Sequence, residues 1–329
     1  MSEHITVLLH EAVDALAIKP GGVYVDGTYG RGGHSRLILS RLSQSGRLIA
    51  IDRDQTAVAV GRKMMREKSV GTGAEFEIRH AAFSQMQKIL CEMGVQKVDG
   101  ILLDLGMSSP QLDADRGFSL RVDGPLDMRM DVSRGITAAQ WIETVSETEL
   151  EKVIKEYGEE RYARSIARAI IVARARQPIV TTLQLAKIVI AAVRSRERRR
   201  EGQQSPATRT FQAIRIAINQ ELEELSLVLQ QSTGLLKVGG RLVVISFHSL
   251  EDRIVKRFMR ESAGVDRVPR NIPLRGTELQ RFNRQQFKVI GKTIRPKQQE
   301  VTANSRSRSA VMRVAERVLC EADTCACLN

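Results

Sequence analysis

Three short apolar runs, each with an aspartate near its end, alternate with helical segments in the first 105 residues. The runs are 23–28 (VYVDGT), 47–52 (RLIAID) and 98–105 (VDGILLDL). Strands that alternate with helices predict βαβ units and a parallel sheet, whose strands are apolar because helices cover both faces. The pattern resumes at 241–247 (RLVVISF), after a polar loop at 111–135 and a helical stretch from about 136 to 200. The sequence therefore predicts an α/β sheet interrupted by a helical insert.

Local signals predict several element ends. Thr137 is a candidate N-cap for a helix over 138–145, and Ser146, with Glu149 three residues later, for a helix over 147–157 that Gly158 would end. Apolar residues at helical spacing predict one long helix over about 207–231, and β-like runs occur at 75–79, 287–294 and 309–315.

A glycine-rich loop, 26–35 (DGTYGRGGHS), follows the first run and opens a helix. Glycines allow a tight turn and let a ligand approach the backbone. Asp52 closes the next strand about twenty residues later, where an acid can accept hydrogen bonds from both ribose hydroxyls. These features predict a nucleotide-like ligand, although glycines that serve only the turn would give the same pattern.

Asp26 and Ser35 distinguish two ligand classes. A dinucleotide loop has the form G-x-G-x-x-G, but Ser35 occupies the last glycine position. Asp26 at the mouth of the loop would repel a pyrophosphate, whereas S-adenosylmethionine has no phosphate and carries an ammonium and a sulfonium. The methyltransferase pattern D-x-G-x-G-x-G is matched at Asp26, Gly30 and Gly32, with Thr28 in place of the first glycine. The loop therefore favours a methyl donor over NAD.

Two further motifs end predicted strands and so lie at the same edge of a parallel sheet. Asp104 is followed by a turn at 108–110, and either could accept hydrogen bonds from an exocyclic amine and orient it for methyl transfer. A strand-capping Asp104 is the alternative. In the motif 246–252 (SFHSLED), Phe247 could stack on a base and His248 could relay a proton, although Ser249 and Asp252 also resemble a capping box.

The net charge of +13 is unevenly distributed. Residues 151–200 contain 13 basic and 5 acidic side chains, and residues 251–310 contain 15 and 6, so the rest of the chain is close to neutral. Two basic patches predict a polyanionic partner, with nucleic acid as the first candidate. The helical repeat Arg161, Arg164 and Arg168, the dense run 194–200, and the late cations Arg295, Lys297, Arg306 and Arg308 are the expected phosphate contacts.

Several classes of protein are not indicated. The sequence contains no apolar run of the about 20 residues that span a bilayer, and the N-terminus does not resemble a signal peptide. Cys91 stands alone, and Cys320, Cys325 and Cys327 have neither a partner pair nor a nearby histidine, so neither a disulfide scaffold nor a zinc site is expected. We expect a cytoplasmic protein with reduced thiols and no membrane partner.

Long motifs make the chain resemble the bacterial 16S ribosomal RNA (cytosine-N4)-methyltransferase family, known as RsmH or MraW. The resemblance covers nearly the whole chain, apart from the variable tip of the insert and the cysteine-bearing tail after Arg317. The motifs are 4–9 (HITVLL), 25–37 (VDGTYGRGGHSRL), 49–54 (IAIDRD), 99–112 (DGILLDLGMSSPQL), 116–131, 157–161 (YGEER), 206–216 (PATRTFQAIRI), 238–260 and 306–317.

This resemblance implies an α/β fold with a Rossmann-like S-adenosylmethionine-dependent methyltransferase core and an inserted all-α domain. We expect the core at 1–112 and 206–329, and a substrate-recognition insert at 113–205. The implied activity is methyl transfer to N4 of a decoding-centre cytosine in 16S rRNA of the small ribosomal subunit. The family's donor-binding residues fall on Gly32, Gly33, His34, Asp52, Phe83, Asp104 and Gln111.

The resemblance thus assigns Asp104 to the donor, whereas its chemistry assigns it to the target amine. Both assignments hold if Asp104 lies between the donor and the amine. The hypothesis for catalysis is alignment of the reactants without a metal, with Asp104, His248 or water taking the N4 proton. The alternatives are a non-catalytic rRNA-binding assembly factor and a DNA amino-methyltransferase, which the absence of Pro-Pro after Asp104 disfavours. The sequence leaves the oligomeric state open.

Overall fold

Within residues 5–66, 73–107, 114–120, 122–194, 205–264 and 285–319, which the computed structural model describes, seven strands form one sheet. Their order is β3-β2-β1-β4-β5-β7-β6. The strands are β1 (Val23–Asp26), β2 (Arg47–Asp52), β3 (Glu75–His80), β4 (Val98–Asp104), β5 (Leu236–Ser246), β6 (Phe287–Val289) and β7 (Val311–Arg317).

The first five strands of this sheet are parallel, and β7 pairs antiparallel with both β5 and β6. The chain leaves β1 towards β2 on one side, and β4 lies on the other side of β1, so the strand order reverses between β1 and β4. In open α/β sheets a ligand binds at such a switch point, outside the carboxyl ends of the strands. The predicted Rossmann-like α/β fold class is confirmed.

Helices cover both faces of the sheet, which explains why its central strands are nearly all apolar. In β4 the six residues from Val98 to Leu103 are buried. One face packs on α1 (Leu9–Ala15), α2 (Gly33–Arg41) and α3 (Gln55–Arg66), and the other on α4 (Met86–Glu92), α10 (Glu221–Leu235) and α11 (Ser249–Ser262). A short helix, α12 (Gln298–Ala303), precedes β7.

The helical insert has its own hydrophobic core. It contains α5 (Ala138–Thr144), α6 (Glu147–Gly158), α7 (Ala163–Arg174), α8 (Thr182–Arg194) and α9 (Ala207–Asn219). The predicted caps are present: Thr137 and Gln140 form a capping box, and Ser146 Oγ accepts from the Glu149 N–H at 3.1 Å. The residue in the left-handed conformation after α6 is Glu159 rather than Gly158.

The chain divides into two compact units, 1–106 with 222–329, and 107–221. Residues 206–221 fall in the helical unit of this division, whereas the sequence predicts the boundary between insert and core at 205/206. Phe211 and Ile214 of α9 pack in the core of the helical unit, and a Cβ on Gly158 of α6 would lie 2.8 Å from the Arg209 carbonyl oxygen. The single long helix predicted over 207–231 is wrong, because Gln220 adopts a left-handed conformation between α9 and α10.

Cys91 is an exposed free thiol, and the cysteines at 320, 325 and 327 lie outside the described residues. No helix in the described part of the chain is both long and apolar enough to cross a membrane.

Candidate functional site

Asp26 ends β1 beneath the glycine loop. Its carboxylate accepts from Ser35 Oγ at 2.6 Å and from the Thr28 N–H at 3.2 Å, and only 1% of the residue is exposed. Burial raises the pKa of Asp26 to about 6. Asp26 therefore holds the loop from below rather than standing at its mouth, while its charge still acts on the site.

Gly32 and Gly33 are required by packing inside the protein. Gly32 has a positive φ of 73°, and a Cβ there would lie 2.5 Å from the Tyr29 hydroxyl. A Cβ on Gly33 would lie 1.9 Å from Thr6 Oγ1. Helix α2 begins at Gly33 without a side-chain cap, so its first N–H groups form a positive end suited to a carboxylate.

Asp52, at the end of β2, is held by two backbone donors. Gly30 N–H donates to Oδ2 at 2.7 Å, and Asp54 N–H donates to Oδ1 at 2.8 Å. Burial is the main cause that raises the pKa of Asp52 to about 6. Each carboxylate oxygen can accept a second hydrogen bond, so the arrangement can hold a ribose diol.

Phe83 begins a 3-10 turn after β3, with the Arg53 guanidinium 5.9 Å from its ring centroid. Gln231 of α10 braces this turn, because its Nε2 donates to the Ser84 carbonyl at 2.6 Å and its Oε1 accepts from the Gln87 N–H at 3.2 Å. The turn thus presents an aromatic ring on the same side of β1 as Asp52.

Asp104 lies at the carboxyl end of β4, beside the glycine loop. Its backbone N–H donates to Thr28 Oγ1 at 2.7 Å, and its Oδ2 is 3.8 Å from His34 Nδ1. His34 is 4% exposed and Asp104 21%. The structure therefore brings Asp104 to His34, a residue that the resemblance assigns to the donor.

The Asp104 carboxyl has the highest of the three raised aspartate pKa values, about 7. Burial is the largest cause, the Gly106 N–H opposes it, and the negative charges of Asp26 and Glu251 add to it. Three acids at one sheet edge, one of them fully buried and two partly buried, favour a cationic ligand and disfavour a pyrophosphate. This charge fits S-adenosylmethionine.

His248 is the N-cap residue of α11, and its Nε2 lies 3.1 Å from Glu251 Oε1. Glu251 Oε2 accepts from the backbone N–H groups of Phe247 at 2.7 Å and His248 at 3.3 Å. The predicted capping pair of Ser249 and Asp252 is therefore wrong by one residue, and Asp252 instead binds Arg313 at 2.7 and 3.0 Å.

Phe247 packs against the backbone that follows Asp104. A Cβ on Gly106 would lie 2.7 Å from the Phe247 ring. Gln111 and the turn at 108–110 lie outside the described residues.

The predicted phosphate contacts fall on exposed positions where they are described. Arg164 and Arg168 lie one turn apart on α7, and Arg295, Lys297, Arg306 and Arg308 flank α12. Most of the run 194–200 lies outside the described residues.

Sequence reasoning did not identify the supporting roles of Thr28, Glu251 and Thr6. For Thr28 a signal was present, since it replaces a glycine of the methyltransferase loop and its hydroxyl links that loop to β4. For Glu251 the signal was the three-residue capping-box spacing from His248, whereas the contact of Thr6 with Gly33 has no spacing that would reveal it.

Comparison with known protein families shows which family the chain belongs to. A model described as the MraW methylase family matches residues 1–318. The chain belongs to the MraW methylase family. The resemblance read from the sequence is thus confirmed.

Similar curated proteins have closely matching lengths. The chain is 61% identical over 317 residues to ribosomal RNA small subunit methyltransferase H of Nitrosospira multiformis, covering 96% of this chain and 98% of that protein. It is also 61% identical over 316 residues to the protein of that name from Nitrosomonas eutropha, with 96% and 97% coverage. Among solved structures, an rRNA methylase from Streptococcus thermophilus aligns with a TM-score of 0.40 and 10% identity, over 96% of this chain and 100% of that one.

Proposed function

We propose that this protein methylates N4 of a decoding-centre cytosine in 16S rRNA of the small ribosomal subunit, with S-adenosylmethionine as the donor. The observation that carries the proposal is the position of Asp104, which lies beside both the glycine loop and His34 in a chain that belongs to the MraW methylase family. The curated relatives named small subunit rRNA methyltransferases support the substrate class.

The donor fits the residues of the site. The positive end of α2 suits a carboxylate, Asp52 a ribose diol, Phe83 an aromatic base, and the buried acids a cation. Burial raises the pKa values of Asp26 and Asp52 to about 6 and that of Asp104 to about 7. A cation bound beside these carboxyl groups would favour their ionised forms, and the negative charge would in turn stabilise the cation. When bound, S-adenosylmethionine supplies a methyl group already activated by its sulfonium.

Asp104 is the residue best suited to the target amine. The N4 lone pair of cytosine is delocalised into the ring, so a carboxylate that accepts an N–H hydrogen bond increases the electron density on nitrogen and fixes its direction. The amine gains the methyl group and loses one proton. A carboxyl with a pKa of about 7 is close to the working pH of a general base, so Asp104 can receive that proton.

His248 and Phe247 form the neighbouring part of the site at the end of β5. Glu251 fixes the backbone of both residues, so their positions are set before any substrate binds. We assign His248 to contact with the flipped cytosine or relay of its proton, and Phe247 to an apolar wall. A base must leave its stack before its exocyclic amine can be reached.

The exposed cations of α7 and of the segment around α12 supply a non-specific affinity for rRNA phosphates. Under this proposal the helical unit recognises the substrate, with Arg164 and Arg168 as part of its binding face.

The deciding experiment incubates the full-length protein with labelled S-adenosylmethionine and small ribosomal subunits from cells that lack its gene. Nucleoside mass spectrometry should detect N4-methylcytidine at one decoding-centre position. Donor binding measured by calorimetry without methyl transfer would favour the assembly-factor alternative, and modification of DNA instead of rRNA would favour the amino-methyltransferase alternative.

A further inference from the structure

We propose that residues 5–8 form a strap over the donor site and that Glu300 and Asn304 are positioning residues that hold this strap against the glycine loop. The proposal rests on the proposed function, because the site that the strap covers is the one assigned to S-adenosylmethionine.

The strap contacts the loop directly at Thr6. A Cβ built on Gly33 would lie 1.9 Å from Thr6 Oγ1, 2.9 Å from Thr6 Cβ and 3.1 Å from Thr6 Cγ2. The Thr6 side chain therefore occupies the space directly over the first residue of α2. Because Gly33 is one of the residues assigned to the donor, a displacement of Thr6 changes the wall of the donor site.

Two long-range hydrogen bonds hold the ends of the strap. Glu300 Oε1 accepts from the Leu8 N–H at 2.8 Å, and Asn304 Nδ2 donates to the Ile5 carbonyl at 3.0 Å. Glu300 lies within α12 and Asn304 is the C-cap residue of that helix, so one short element is hydrogen-bonded to both ends of the strap.

The backbone of Leu8 shows that the surrounding structure imposes the position of the strap. Leu8 has φ 50° and ψ 37°, a left-handed conformation that is unfavourable for a leucine. Such a conformation persists only where neighbouring contacts over-determine it. Here those contacts are the bond to Glu300 and the burial of the Leu8 side chain, which is 1% exposed.

Single substitutions in the full-length protein can test the two hydrogen bonds to the strap one at a time. Glu300→Ala removes the acceptor for Leu8, whereas Glu300→Gln retains an oxygen that can accept the same bond. Asn304→Asp removes the donor to Ile5 but retains Oδ1, which accepts from the Arg306 N–H at 3.2 Å. Gln299→Ala is the matched control, because Gln299 is exposed on the same helix.

The measurement is the calorimetric Kd for S-adenosylmethionine, with steady-state kinetics for both substrates. We expect Glu300→Ala and Asn304→Asp each to weaken donor binding by about three- to ten-fold, as the loss of one hydrogen bond predicts. Glu300→Gln and Gln299→Ala should remain within about two-fold of wild type. The KM for rRNA should not change, and hydrogen exchange in residues 5–8 should be faster in the two weakened variants.

The outcomes distinguish this proposal from the proposed function. A wild-type protein that binds no S-adenosylmethionine overturns both. Wild-type binding together with unchanged Kd values in Glu300→Ala and Asn304→Asp overturns the strap alone. The strap is also overturned if Glu300→Gln loses as much affinity as Glu300→Ala, or if the KM values for donor and rRNA rise together. If Glu300→Ala does not fold, Asn304→Asp carries the same test.

Discussion

His34 Nδ1 lies 3.8 Å from Asp104 Oδ2, which joins the first turn of α2 to the carboxyl end of β4. Both side chains are largely withdrawn from water, and the Asp104 carboxyl has a pKa of about 7. The pairing places a proton-accepting group at the switch point of the sheet, beside the loop assigned to the donor. This geometry allows Asp104 to serve donor and target together.

Replacing Asp104 with Asn should lower the rate of methyl transfer by about 10²–10⁴-fold, the range for loss of a general acid or base. Measurement of single-turnover rates with labelled donor tests this. Asp14→Asn, on the exposed face of α1, is the matched control and should retain full activity. An Asp104→Asn variant with an unchanged rate would remove Asp104 from catalysis.

Donor binding should strengthen as pH rises through 6 to 7. Asp26 and Asp52 have pKa values of about 6 and Asp104 of about 7, so the site gains negative charge over this interval. A cationic donor binds the ionised form better, and by linkage its binding releases protons. Calorimetry in buffers of different ionisation enthalpy would detect the release at pH 6. Affinity that stays flat between pH 5.5 and 8 would contradict the raised pKa values.

His248→Ala should lower stability modestly, because it removes the Nε2 that lies 3.1 Å from the buried Glu251 carboxylate, while the backbone N–H that Glu251 accepts remains. Its kcat should fall by about 10² if His248 contacts the reacting amine. Thermal unfolding and steady-state kinetics measure the two effects separately. A kcat equal to that of wild type would exclude a catalytic role for His248 and leave only its structural role as the N-cap residue of α11.

Gly33→Ala should weaken donor binding, and Thr6→Ala should partly rescue it. The added methyl group collides with Thr6 Oγ1, and overpacking of this kind costs about 1–3 kcal/mol. Thr6→Ala removes the atoms at 1.9 and 3.1 Å but leaves Cβ at 2.9 Å, so rescue should be incomplete. A double-mutant cycle on the donor Kd measures the coupling, and additive effects would contradict the contact.

Arg164→Gln with Arg168→Gln should reduce rRNA affinity and its salt dependence together. Removing one phosphate contact lowers the slope of log K against log salt by about 0.7–0.9. Lys88→Gln is the control, since Lys88 is exposed on α4 outside both basic segments. Binding isotherms at several salt concentrations provide the slopes, and unchanged slopes would separate these arginines from the RNA.

The sequence by itself determined the alternation of strands and helices, the helical insert, and the glycine loop with Asp52 and Asp104 at strand ends. These features are local, since apolar periodicity, caps and turn residues act within a few positions of one another. The order of the parallel strands places their carboxyl ends together, so the grouping of Asp26, Asp52 and Asp104 followed from the fold class.

Only the tertiary structure decided the remaining relationships. It placed Asp26 under the loop, gave Glu251 rather than Asp252 the capping role, ended α9 at a left-handed Gln220, and brought Glu300 to Leu8. The last contact joins residues 292 positions apart. Contacts of this kind depend on side-chain packing and backbone strain between distant segments, which have no period or spacing in the sequence.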